Sequence, residues 1–242
     1  MATARRYALG KMGHGYGSEW HLTRFLGRHR HRLDKHLARS TLLTDIRWLD
    51  FNFKSTDWLG DGELLGLDFL PNADIQREFR EWWPHGRGIM NWDAVAEATD
   101  LDGNPAWLLI EAKANVPELR SDCGAGPESM ARIRSALDET GRALGVTESG
   151  DWTRAYYQHA NRLAVLHFLT AHKVPAHLVE IYFYGSTPSD NRSPIDAAGW
   201  EDALVAMKTY LGLSGRSELE TRVHEVFVDV SGSTPPSTRR GD

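Results

Sequence analysis

The sequence predicts an α/β or α+β domain built in three layers, and three observations carry that expectation. Apolar runs of strand length, "WLLI" at Trp107–Ile110 and "HLVEIYFYG" at 177–185, alternate with amphipathic stretches of helical period. The turn sequence "TDLDGNP" separates two strand candidates, which marks a β-hairpin. With 242 residues, 41% of them hydrophobic, the chain is long enough to bury one substantial core.

Residues 1–16 are small, basic and Gly-rich, and an irregular arm is expected there, followed by one domain over 17–230. From Ser18, an acceptable N-cap, the pattern predicts a single helix to about Arg39. Leu22, Phe25, Leu26, Leu33 and Leu37 fall on one face of it, and His21, Arg24, Arg28, Arg32, Lys35 and Arg39 on another. Glu19 stands at the edge of the apolar face. A strand is expected over Thr44–Phe53, turns or a short hairpin over "DWLGDGELLGLDFLP", and a short helix within 73–88 closed by Pro84 and Gly86. Ile89–Ala98 and the run ending at Lys113 form the hairpin. Helices are expected over Pro127–Leu144, Trp152–His172 and Asp196–Leu211, and a last strand over Arg222–Val230. The ending "SGSTPPSTRRGD", 231–242, has the composition of a disordered tail.

Bulk composition removes several function classes. No run approaches the roughly 18 apolar residues of a membrane helix, and "MATARRYALG" lacks the apolar core of a secretory signal, so a cytoplasmic protein without membrane contact is expected. Cys123 is the only cysteine, which excludes an intramolecular disulfide and a multi-cysteine metal site. Zinc is disfavoured as well, because the eleven histidines form no HExxH spacing. A net charge of −5 makes the chain no general polycation, so a nucleic-acid partner would have to be met locally.

The chemistry concentrates on the hairpin. Only six lysines stand against 22 arginines, and one of them, Lys113, closes the apolar strand two residues after Glu111. Alternation places Glu111 and Lys113 on one face with Leu109, and Ile110 and Ala112 on the other. A three-residue loop of Leu101, Asp102 and Gly103, with Gly103 left-handed, pairs Asp100 with Asn104 and therefore Asp93 with Glu111. A two-residue Asp-Gly turn would split the two carboxylates between faces. Side by side they repel unless a cation sits between them, and oxygen ligands without cysteine suit Mg²⁺ or Mn²⁺.

Asp93 followed 18 positions later by Glu111-Ala112-Lys113 on a hairpin resembles the PD-(D/E)XK nuclease superfamily, whose fold is called restriction-endonuclease-like. Trp92 stands where that family's pattern has proline. Glu19 is similar to the additional acidic residue that some members carry on the first core helix, and Gln158 to a glutamine that some members place near the site. The resemblance spans roughly 17–169. It implies a central mixed sheet flanked by helices and Mg²⁺-dependent (or Mn²⁺-dependent) cleavage of nucleic acid, DNA before RNA. Asp93, Glu111 and Glu19 would hold the metal, Lys113 would orient the attacking hydroxide, and Gln158 would support the site. The stripe His21, Arg24, Arg28, Arg32 and Lys35 would contact phosphates without reading sequence.

Each feature has a plainer explanation. An acidic-x-Lys triplet arises by chance about once in 150 residues, and its plainer explanation is a cross-strand ion pair at a strand end. A first-turn glutamate such as Glu19 also complements a helix dipole. Trp82, Trp83, Trp92 and Trp107 are expected in the core rather than as base-stacking platforms. Two rival functions follow: a non-catalytic nucleic-acid-binding or assembly protein, and a metal-independent hydrolase using Asp93 and Glu111 as an acid/base pair. The sequence sets no oligomeric state, and a homodimer is one option.

Overall fold

The computed structural model describes residues 7–8, 17–49, 63–85, 89–185 and 193–231. The arm expected over 1–16, apart from Tyr7 and Ala8, lies outside the described residues. So do the end of the strand expected to Phe53, the start of the turn region behind it, the closing Gly86 and the tail beyond Ser231. Along the chain run β1 (Tyr7–Ala8), α1 (Ser18–Leu26), α2 (Arg30–Thr41), β2 (Thr44–Trp48), β3 (Glu63–Leu65), α3 (Ala73–Trp82), β4 (Asn91–Trp92), β5 (Ala94–Thr99) and β6 (Pro105–Lys113). Then follow α4 (Pro127–Ala143), α5 (Tyr157–Ala171), β7 (Ala176–Tyr184), α6 (Glu201–Leu211) and β8 (Val223–Asp229).

The chain is mixed α/β, with a five-stranded central sheet ordered β2-β5-β6-β7-β8. Its first three strands are antiparallel neighbours, and β6, β7 and β8 run parallel. Strands β1, β3 and β4 form a small antiparallel sheet beside it. Both faces of the central sheet are covered, which is why "WLLI" and "HLVEIYFYG" read as near-continuous apolar runs. On one face Leu22, Phe25 and Leu26 of α1 and Leu33 and Leu37 of α2 pack over Ala94, Ala96, Leu108, Ile110, Val179 and Ile181. On the other, α3 through α6 cover Val95, Leu109, Leu178 and Tyr182. Trp83 and Trp92 are in this second core, with Trp82 and Trp107 packed at its margin.

Three elements differ from expectation. The helix expected from Ser18 to Arg39 is two helices, because the chain turns at Gly27, a poor helix former. Arg30 Nε donates to Leu26 O at 2.6 Å and satisfies an open carbonyl at the break. The strand expected over Ile89–Ala98 changes sheets at Asp93: β4 belongs to the small sheet and β5 to the central one. The helix expected from Trp152 starts at Tyr157, because Trp152 is drawn into the core with its Nε1 donating to Leu211 O at 3.1 Å.

The hairpin turn is the three-residue loop. Asp100 N donates to Asn104 O at 2.9 Å, and Gly103, at φ +84°, donates to Asp100 O at 3.1 Å. The ladder then runs from Thr99 opposite Pro105 to Ala94 opposite Ile110, and Asp93, where the strand changes sheets, stands just beyond its end. A Cβ on Gly103 would meet no atom within 4 Å, which leaves backbone strain as the whole effect of substitution. Gly103→Ala is therefore expected to lower stability by about 1 kcal/mol, read as a shifted urea midpoint at constant slope.

Candidate functional site

Asp93 is fixed by what surrounds it. Trp92 is fully buried, and its Nε1 donates to Gly66 O at 2.8 Å, holding the chain at the point where it leaves one sheet for the other. The backbone ladder between β5 and β6 stops at Ala94, and the Asp93 side chain continues it: Oδ2 accepts from Ala112 N at 2.7 Å.

Glu111, 2% exposed, sits between two cations. Its Oε1 pairs with Lys113 Nζ. Its Oε2 accepts from Arg162 Nε at 2.9 Å and lies 2.7 Å from Arg162 Nη2. Lys113 Nζ also donates to Gln158 Oε1 at 2.9 Å. Arg162 in turn donates to Asn161 Oδ1 and Asn91 O, and its guanidinium lies over the Trp92 ring, 4.8 Å from the centroid. Burial pushes the Glu111 carboxyl up, but the charges of Arg162 and Lys113 outweigh it and hold it below the ordinary range. For Lys113 burial acts downward, and Glu111 and Asp93 overcome it, so the ammonium is held above its usual pKa.

The carboxylates extend beyond the hairpin. Glu111 faces Glu180 on β7, and Glu180 faces Glu225 on β8, so acidic residues stand level across adjacent strands. Each has its own partner. Glu180 takes His159 Nδ1 at 2.5 Å and the Tyr182 hydroxyl at 2.7 Å, and Glu225 pairs with Lys208 at 2.8 Å.

The structure thus brings Asp93, Glu111, Lys113 and Gln158 to one place. Glu19 is not joined to them: it stands in the first turn of α1, its carboxyl raised by burial, and the contacts tying the others together do not include it. Among the described residues no three acidic, histidine or cysteine side chains are placed to hold a metal ion, so the expected ligand set Asp93, Glu111 and Glu19 is not assembled. The acidic residue near the start of α1 is Glu118, whose carboxylate accepts from Ala114 N at 2.8 Å and Asn115 Nδ2 at 2.6 Å. Burial raises its carboxyl, against the pull of these bonds, of Lys113 and of Ser18 at the beginning of α1.

The expected basic stripe is divided by the break at Gly27. Arg24, Arg28 and Lys35 are exposed, whereas Arg32 is half-buried with its guanidinium over Phe25. His21 is 3% exposed, with its ring 5.4 Å from that of Phe183, which removes it from any phosphate-contacting surface.

Arg162, His159, Glu180 and Glu118 were not singled out by the sequence reading. The available signal was "QHANR" at 158–162, a polar cluster opening a helix that is otherwise apolar all round and therefore buried. An arginine inside such a helix requires a carboxylate or carbonyl partner.

Arg162→Met is expected to lower stability by about 3–5 kcal/mol, because it leaves a buried carboxylate with half its compensation, and Glu111→Gln added to it should recover part of the loss in denaturant unfolding. The Glu111 carboxyl is depressed in the folded state, so its ion pairs contribute fully above the unfolded pKa of about 4.3 and are lost as pH falls through the lower folded value. Glu111→Gln should accordingly flatten the stability profile below about pH 4.

No protein-family model, no curated protein and no solved structure matches this chain.

Proposed function

We propose that the chain is a Mg²⁺- or Mn²⁺-dependent nuclease of restriction-endonuclease-like architecture that hydrolyses phosphodiester bonds in nucleic acid, with DNA as the first substrate to test. One observation carries the reading: the Asp93 carboxylate is bonded to the Ala112 amide, next to Glu111, while Lys113 joins the Glu111 carboxylate to Gln158. Two neighbouring carboxylates are the donor set that Mg²⁺ commonly uses, with its other positions left to water and phosphate. When bound, the ion would neutralise the substrate phosphate and acidify a water.

The protein's own residues divide the remaining work. Asp93 and Glu111 would hold the ion. Arg162 keeps the Glu111 carboxylate in one orientation through Oε2, as a second layer of hydrogen bonds does around many metal ligands. Lys113, held by Glu111 and Gln158, would offer its ammonium to the attacking oxygen or the developing phosphate charge, with Gln158 limiting where it can go. Arg24, Arg28 and Lys35, exposed on α1 and α2, supply phosphate contacts that position a strand without reading it.

A second reading, a nucleic-acid-binding protein without turnover, is favoured by a specific observation: both Glu111 oxygens already face cations, so the pocket is electrostatically satisfied by protein alone. The metal-independent acid/base hydrolase fares worse. A carboxyl held below its ordinary pKa is a poor general acid near neutrality.

Labelled single- and double-stranded DNA incubated with Mg²⁺, Mn²⁺ or a chelator separates these readings. Metal-dependent cleavage is expected, and Asp93→Ala and Lys113→Ala should each reduce it by about 100-fold or more with unchanged circular dichroism. Cleavage by both variants at the parent rate sinks the nuclease, and salt-sensitive binding without any product selects the binding protein. Arg28→Ala should weaken DNA binding evenly across sequences and reduce the slope against log salt by about 1.

A further inference from the structure

One buried polar atom is left over by the hairpin site. His159, on α5, is 6% exposed, and its Nδ1 is engaged with Glu180, both of whose oxygens are occupied, by His159 and by the Tyr182 hydroxyl. With the ring proton on Nδ1, Nε2 presents a lone pair, and it has no hydrogen-bond partner among the described residues. A buried acceptor in that condition is destabilising unless something fills the space beside it.

That space exists. His159 lines a cavity of about 150 Å³, whose walls combine the apolar Leu163, Leu213 and Val223 with charged groups. The charged groups are Glu180, Glu220 and Glu225 against Lys208, an acidic balance. Glu220 is already committed, its oxygens accepting from the amides of Gly215, Arg216 and Ser217. Glu225 takes its ion pair from Lys208, which is 44% exposed and also borders an outer groove with Val205 and Phe227. Lys208 is therefore a side chain that can swing outward and leave the Glu225 carboxylate to another cation.

We propose that this cavity binds a small primary ammonium compound, whose N–H groups donate to His159 Nε2 and whose charge takes the place of Lys208 against Glu225. A short alkyl body fits the apolar walls, since the volume equals roughly five water-sized groups. A metal ion is a poorer match, because no three ligating side chains converge anywhere among the described residues. The site stands one strand away from Glu111 and is independent of whether the hairpin cleaves nucleic acid.

The test uses full-length protein labelled with nitrogen-15, long-range ring spectra of its histidines and a titration with ethylammonium chloride against matched potassium chloride. A saturable shift of the His159 Nε2 signal is expected, and Val223→Phe should remove it by filling the cavity. Lys208→Ala removes the competing ammonium from a half-exposed position and should tighten binding by up to about fivefold, whether or not the Val223 variant folds. No saturable shift in the parent means the cavity holds water only, and it overturns the proposal. Affinity unchanged or weakened by Lys208→Ala overturns it too.

Discussion

The contact between Arg162 and Glu111 is the constraint around which the interior is organised. A carboxylate 2% exposed, on the central strand of a sheet covered on both faces, is tolerable only with an opposite charge and further hydrogen bonds in place. Arg162 supplies both, reaching β6 from α5, which packs over the neighbouring strand β7. That sets where α5 lies over the sheet, and the guanidinium reaches on to Asn91 O, tying the helix to β4 and so to the small sheet. The same side chain packs on Trp92, so a charge requirement and a packing requirement are met by one residue.

Asp93 is the other half of that arrangement. At the point where the strand passes from the small sheet to the central one, backbone pairing with β6 ends, and an amide on β6 would be left open. The Asp93 carboxylate closes it at Ala112, which keeps β6 in regular geometry as far as Lys113. A residue that reads as a candidate metal ligand is thus also a structural cap. Loss of activity in a variant at this position has meaning only alongside proof that β6 is undisturbed.

Much of this was legible in the sequence, and the physical reasons are specific. The hairpin register followed from the turn: Gly103 can adopt positive φ at no steric cost, and the two-residue alternation of a strand then fixes every facing pair up to Ala94 and Ile110. The strands were visible because burial on both faces leaves an unbroken apolar run. Helix ends were less legible. The pattern on either side of Gly27 has one period, and only the sheet beneath it decides that α1 and α2 lie down separately. His21 illustrates the same limit, since its place on a helical wheel beside arginines says nothing of Phe183, which comes from a strand far along the chain. Arg162 escaped because its partner lies 51 residues away, and no local spacing expresses such a contact.

The level row of glutamates across β6, β7 and β8 gives this sheet an unusual electrostatic problem, and its solution bears on function. Like charges on facing positions destabilise a sheet, so each needs its own compensation. Glu111 receives two full cations, Glu180 a histidine and a phenol, and Glu225 an ammonium that water also reaches. Compensation therefore weakens in rigidity from β6 toward β8. Exchange of one cation for another is easiest where the partner is solvated and hardest where it is enclosed. Arg162, enclosed and hydrogen-bonded on several sides, is a fixture, while Lys208 is 44% exposed and Lys113 only 11%. Under the two proposals, a divalent ion at Glu111 or an ammonium at Glu225 would in both places meet a lysine as its competitor and leave the other partners of the carboxylate untouched.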